Sequence, residues 1–163
     1  MLLKAIIKNI SEWKSIINAI SNISEEAMFI CNSDGITFRG IDPTHVSLLD
    51  ITFPKESFEE FSSITTFFGL RVVDLKNVLN AADNNDTIEF QIEDEGSFKV
   101  LINGSLQMTY SLRLIEKTEV NTEIPKIESK SKFSITPGIL TRIISNMEKV
   151  SEHMTIKTLD DEV

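Results

Sequence analysis

At 163 residues, with 41% apolar and 25% charged side chains, the chain has an ordinary globular composition and room for one full core, or for one domain and part of another. This excludes disorder throughout. A formal net charge of -9 also excludes a surface that grips nucleic acid on every side, because phosphate binding needs Lys and Arg facing the backbone, but it leaves room for a few bases sorted onto one face.

Taken in order, Leu2 to Ile7 reads as a strand, and Lys4 and Lys8 break the apolar run too early for a signal peptide. No stretch approaches the length of a membrane span. Ser11 is placed to cap a helix to about Ile23, with Trp13, Ile16, Ile17, Ala19, Ile20 and Ile23 on its apolar side. The opposite side holds Lys14, Ser15, Asn18, Ser21 and Asn22, one positive charge and no acid.

Asn32 to Gly35 is a turn signal, so Ala27–Cys31 and Ile36–Ile41 are expected to pair as a hairpin. Asp42-Pro43-Thr44 makes a second turn, followed by a third strand from His45 to Phe53. The single cysteine, Cys31, has no partner for an intramolecular disulfide and reads as a small buried hydrophobe in a reducing compartment.

Pro54 to Ser63 reads as a polar connection, and Thr65 to Val73 as a strand. Asp74 is placed to cap a shorter helix with Leu75, Val78, Leu79 and Ala82 buried and Lys76, Asn77 and Asn80 facing away. Thr87–Ile92 and Phe98–Ile102 form a further hairpin about Asp94–Ser97. From Ser105 to Ile115 the alternation is regular, with Leu106, Met108, Tyr110, Leu112 and Leu114 on one side. Residues 116–132 lack a period and read as a surface linker, after which Thr136-Pro137 starts a third helix. That helix buries Ile139, Leu140, Ile143, Ile144, Met147 and Val150, and places Arg142, Ser145 and Lys149 on its opposite face.

Two repeats set the expected architecture. Ile16 to Glu25 lines up with Ile143 to Glu152 at a constant offset, so the chain holds one whole unit (1–115), a linker (116–132) and the beginning of a second unit (133–163). Within the first unit, Ile16-Ile17-Asn18-Ala19 resembles Val78-Leu79-Asn80-Ala81. The expected fold is therefore α+β: a doubled β-α-β-β-β unit with two helices packed on one side of antiparallel sheet. A helix and a strand cannot close a core alone, so the chain is expected to be a fragment whose last thirty or so residues pack less well.

Catalysis has little to work with. There are two histidines, His45 and His153, and no pair with metal-ligand spacing. Asp42 and His45 can be drawn as an orienter and a base, but such spacing is common by chance, and neither an enzyme nor a cofactor is expected. The acidic turns at Asp34, Asp94 and Asp160 lack calcium-loop spacing. The helix faces say more: Lys14 with Asn18, Lys76 with Asn80, and Arg142 with Lys149 give three outward surfaces free of acids at their centres in an acidic chain. That segregation suits phosphate contact without base readout. Val120, Ile124 and Pro125 are apolar residues in the linker, and Ile41 and His45 flank the Asp42-Pro43 turn.

Ser33-Asp34-Gly35-Ile36, then Ile41-Asp42-Pro43-Thr44-His45-Val46-Ser47-Leu48, and then Phe58-Glu59-Glu60-Phe61 resemble the sliding clamps of archaea and eukaryotes, the proliferating cell nuclear antigen family. The register continues to the end of the chain. The resemblance implies two related domains per subunit, three subunits in a homo- or heterotrimeric ring, and helices lining a channel for double-stranded DNA. On that implication Lys14, Asn18, Lys76, Asn80, Arg142 and Lys149 face DNA. Ile41, His45, Val120, Ile124 and Pro125 form a partner-peptide pocket, and Leu106, Met108, Tyr110 and Leu112 lie at the subunit interface. The implied partners are DNA polymerase, other proteins carrying a clamp-binding motif, and a clamp loader. The implied location is the cytoplasm or nucleoid, or the nucleus of a eukaryote, with no membrane, metal or catalytic residue. Asn77 and Asn80 stand where the family usually has bases, so weak DNA contact is expected. The alternatives are a checkpoint-type clamp paralogue acting as a scaffold in a mixed ring, and a small enzyme using Asp42 and His45.

Overall fold

A computed structural model of the chain describes residues 1–64, 66–94, 96–116, 128 and 131–157. It divides into two compact units, Met1–Thr122 and Glu123–Val163. In the first, strand β1 (Leu3–Ile7) leads to helix α1 (Ile10–Ser21). The cap is Asn9 rather than Ser11: the Asn9 side-chain oxygen accepts the Glu12 N–H at 3.1 Å, satisfying a donor that the first turn leaves orphaned. The buried stripe is Ile10, Trp13, Ile17 and Ile20, while Ala19 is exposed.

Strands β2 (Glu26–Asn32) and β3 (Gly35–Ile41) form the expected hairpin. The Asn32 side chain accepts from the N–H groups of Asp34 and Gly35 at 2.8 and 3.2 Å, which folds the turn locally. Gly35 has φ 148°, and a Cβ there would run into the Phe53 carbonyl, so both the backbone and the close approach call for glycine. Strand β4 (Leu48–Pro54) begins later than expected, because His45 to Ser47 belong to the preceding turn.

A 3₁₀ turn at Lys55–Ser57 precedes strand β5 (Phe58–Ser63), where the sequence reading placed a polar connection. The reason is a bulge. Ile6 pairs with Glu60 and Ile7 with Phe58, so Glu59 is an extra residue and Phe58 and Phe61 lose the period of two that marks a strand. Strand β6 (Thr66–Arg71) gives way to helix α2 (Val72–Asn80) two residues before the expected end of the strand. Asp74 does not cap α2. It lies in the first turn, 3.7 Å from Arg71, where a carboxylate suits the helix dipole. Strands β7 (Thr87–Ile92), β8 (Ser97–Asn103) and β9 (Gln107–Arg113) complete the unit as a meander.

The expected antiparallel sheet is present as two sheets, a five-stranded one ordered β5-β1-β7-β8-β9 and a four-stranded one ordered β4-β3-β2-β6. The internal repeat explains the arrangement. Gly35–Ile41 and Ser97–Asn103 are equivalent strands 62 residues apart, and each half donates its first strand to the other half: β1 pairs with β7, and β6 with β2. Helices α1 and α2 pack against each other.

Aromatic rings join the two sheets. Trp13 of α1 stacks on Phe53 at 4.0 Å and meets Phe90 edge-on at 5.1 Å, and Phe68 stacks on Phe98 at 5.2 Å. No polar or charged residue is buried among the described residues, so the core carries no uncompensated polar group of that kind.

In the second unit, helix α3 (Pro137–Met147) starts after Thr136 as expected. Its stripe is not buried: Ile139, Ile143, Ile144 and Met147 are exposed, as is Val150 beyond the helix end. Leu140 is half-buried.

Candidate functional site

The polar faces of α1 and α2 lie together. Lys14 donates to the Ala82 carbonyl at 2.6 Å, and Lys76 donates to Asn18 Oδ1 at 2.6 Å and Ser21 Oγ at 3.3 Å. Three of the residues expected to face DNA are thus held on one surface, and the two ammoniums are tied into the helix pair rather than extended. Asn80, the last residue of α2, is exposed. Arg142 is exposed on α3, whereas Lys149 falls past the end of that helix, in the turn after Met147.

Ile41 and His45 come together in an open depression of about 630 Å³ that Pro43, Ile23 and Glu25 also line. Depressions of about 560 and 520 Å³ occur elsewhere on the first unit, so size does not single this one out. Its lining does. His45 sits at the crest of the Asp42 turn with φ 59°, the one positive φ outside glycine among the described residues. Val46, which follows His45 outside the depression, is 83% exposed, the most open large apolar side chain of the described residues. The strand reading of His45 to Phe53 hid Val46; six backbone-folding residues between the two paired strands were the signal for it. Val120, Ile124 and Pro125 lie outside the described residues.

The Asp42 carboxylate organises this turn. It accepts from the backbone N–H groups of Thr44 (3.2 Å), Val46 (2.9 Å) and Ser47 (2.6 Å), and from the Thr44 hydroxyl. The Thr44 hydroxyl first, and then the backbone donors led by that of Ser47, lower its pKa to about 2. A carboxylate so engaged is a structural acceptor rather than an orienter for His45, whose own backbone N–H donates to the Asp42 carbonyl at 2.9 Å. No group of three or more metal-ligating residues occurs among the described residues, and no helix among them is long and apolar enough to cross a membrane.

Strand β9 ends the five-stranded order and is an edge. Met108, Tyr110 and Leu112 turn inward against the core and are half-buried. Leu106 is 70% exposed and precedes the strand, its carbonyl accepting from the Gly104 N–H. What the edge offers a neighbour is backbone, flanked by the exposed side chains of Thr109, Ser111 and Arg113.

The sequence profile described as "Proliferating cell nuclear antigen, N-terminal domain" matches residues 2–122. The DNA polymerase sliding clamp of Nitrosopumilus maritimus is 35% identical over 150 residues, 91% of this chain and 60% of that protein. That of Cenarchaeum symbiosum is 35% identical over 147 residues, 90% of this chain and 58% of that protein. The chain therefore spans about 60% of the length of these relatives. Among solved structures, the fold superposes on A. fulgidus PCNA bound to the C-terminal region of FEN-1 with a TM-score of 0.84 at 24% identity, covering 93% of this chain and 61% of that one. It superposes on PCNA from Thermococcus kodakaraensis with a TM-score of 0.75 at 25% identity, covering 92% and 61%. A profile that runs through the whole two-sheet unit, from β1 to past β9, makes this chain a member of the proliferating cell nuclear antigen family.

Proposed function

We propose that the chain is the N-terminal part of a DNA sliding clamp subunit, a non-enzymatic tether that holds DNA polymerase and other replication or repair proteins on duplex DNA. The observation that carries this reading is the pairing of Ile41 with His45 in one surface depression, in a chain whose relatives are named DNA polymerase sliding clamps. A partner peptide with apolar and aromatic anchors seats there. Val120, Ile124 and Pro125, which lie outside the described residues, belong to the same proposal as contacts for that peptide, and a clamp loader opens the ring.

The rest of the first unit supports the ring. Subunits join through the β9 edge into a closed trimer, with α1 and α2 toward the bore. Lys14, Asn18, Lys76, Asn80, Arg142 and Lys149 then meet phosphates through weak, screened contacts that allow sliding while closure prevents escape. Such a protein works in the cytoplasm or nucleoid, or in the nucleus of a eukaryote.

The test is a titration of the chain with a labelled peptide of the FEN-1 C-terminal region. Saturable binding that Ile41→Asp removes is the expected result. Equal binding by the parent chain and Ile41→Asp, or none by either, overturns the tethering surface.

A further inference from the structure

We infer that Asp42 is a positioning residue for the partner-binding surface: its carboxylate fixes the backbone that carries His45 and Val46 beside Ile41, and so sets how much of the protein is ready to bind. The inference rests on the reading that Ile41 and His45 receive a partner peptide.

Six residues, Asp42 to Ser47, cross from Ile41 at the end of β3 to Leu48 at the start of β4. The ladder itself closes at Ile41 opposite Leu48, so these six are held by something other than strand pairing. Two backbone bonds span them, Asp42 N–H to the Ser47 carbonyl at 3.0 Å and His45 N–H to the Asp42 carbonyl at 2.9 Å. Four further hydrogen bonds inside the loop end on the Asp42 carboxylate: the Thr44 N–H and hydroxyl on one oxygen, the Val46 and Ser47 N–H groups on the other. His45 lies between these two sets of anchors.

His45 needs the help. A left-handed φ of 59° is unfavourable for a residue with a Cβ, and it persists only where its neighbours over-determine it. Val46 needs it for another reason. At 83% exposure its side chain has almost no packing to fix it, so its direction follows from its N–H bond to Asp42 at 2.9 Å. Removing the carboxylate frees the residues on both sides of His45 at once while leaving the β3–β4 ladder in place. A surface that is ready only part of the time binds more weakly by that fraction.

The experiment uses the same labelled FEN-1 C-terminal peptide with the parent chain, Ile41→Asp, Asp42→Ala and Asp42→Asn. Fold is checked by Trp13 emission and by the thermal midpoint. Asp42→Ala is expected to bind about tenfold more weakly with unchanged Trp13 emission and a midpoint that stays well above the assay temperature, and to show faster amide exchange at Val46 and Ser47. Asp42→Asn keeps an oxygen for those two N–H groups and is expected to recover most of the affinity, which a general loss of fold would not allow. Asp42→Ala binding like the parent, or Asp42→Asn as weak as Asp42→Ala, overturns the inference while Ile41→Asp still reports the surface. Failure of the parent chain to bind overturns the tethering reading and this inference with it.

Discussion

Lys14 and Lys76 stand at equivalent positions of two helices 62 residues apart, and each sends its ammonium to the C-terminal end of the other helix. Lys14 reaches the Ala82 carbonyl beyond α2, and Lys76 reaches Asn18 and Ser21 in the last turn of α1. Neither helix has a basic residue in its own last turn. The positive charge that a helix C-terminus favours is thus exchanged between the two repeats.

The exchange is asymmetric in strength. Lys14→Met leaves a backbone carbonyl without its donor and is expected to lower stability by about 1 kcal/mol, whereas Lys76→Met removes more exposed side-chain contacts and costs about 0.5 kcal/mol or less. Urea unfolding followed by Trp13 emission measures both. Equal losses would contradict the assignment of the carbonyl bond as the stronger one.

Phe58 is a second case. It is 3% exposed, with its ring 5.9 Å from Trp13 and 4.9 Å from Phe61. Phe58→Ala should destabilise the first unit by about 3 kcal/mol or more. Glu59→Ala, at the exposed bulge next to it, should stay within about 0.5 kcal/mol. Denaturant midpoints that failed to separate these neighbours would argue against a strand at Phe58–Ser63.

Burial pushes the Cys31 thiol up to about 12, with the Ser63 contact acting in the opposite sense. A raised folded-state pKa means its contribution to stability is fully present below the unfolded thiol pKa, near 9, and is lost as pH climbs toward 12. Alkylation at pH 8 is expected to be far slower in the native protein than in urea. A Cys31→Ala variant should lose less stability than the parent between pH 9 and 11.

Asp42 titrates in the other direction. Its folded pKa of about 2 lies below the ordinary aspartate value of 3.8, so the order it gives the turn is complete above pH 4 and is lost as pH falls through 2. Amide shifts of Thr44, Val46 and Ser47 should move together in that window. In Asp42→Asn the same shifts should stay flat, and a matching titration there would assign the effect to another group.

Local signals carried much of the fold. Asn32 to Gly35 folds its hairpin through one side chain, so the turn, both strands and their register were legible. The α1 stripe through Trp13, Ile17 and Ile20 was legible for the same reason, since helical spacing is written in the sequence itself. Strand β5 was not, because the bulge at Glu59 removes the alternation that announces a strand. Val72 and Val73 looked like the end of a strand because β-branched residues favour one, and Asp74 drew the cap three residues too far along. At the site, the turn between Ile41 and His45 was readable from Asp42-Pro43, but the exposure of Val46 was not, since His45 to Phe53 reads as one continuous strand. Lys14 and Lys76 were placed on the polar faces correctly, yet what they touch depends on how two helices meet.

The crossing of first strands between the halves has a consequence for how the chain comes into being. Leu3 lies between Ser63 and Ile92, and Ala5 between Phe61 and Phe90, so the amino-terminal strand is paired on both sides only after most of the first unit has left the ribosome. Contacts this distant in sequence close slowly. Neither half is then an independent piece: severing the connection near Ile64 strips each sheet of a strand supplied by the other side, so the unit should assemble, and come apart, as one cooperative body.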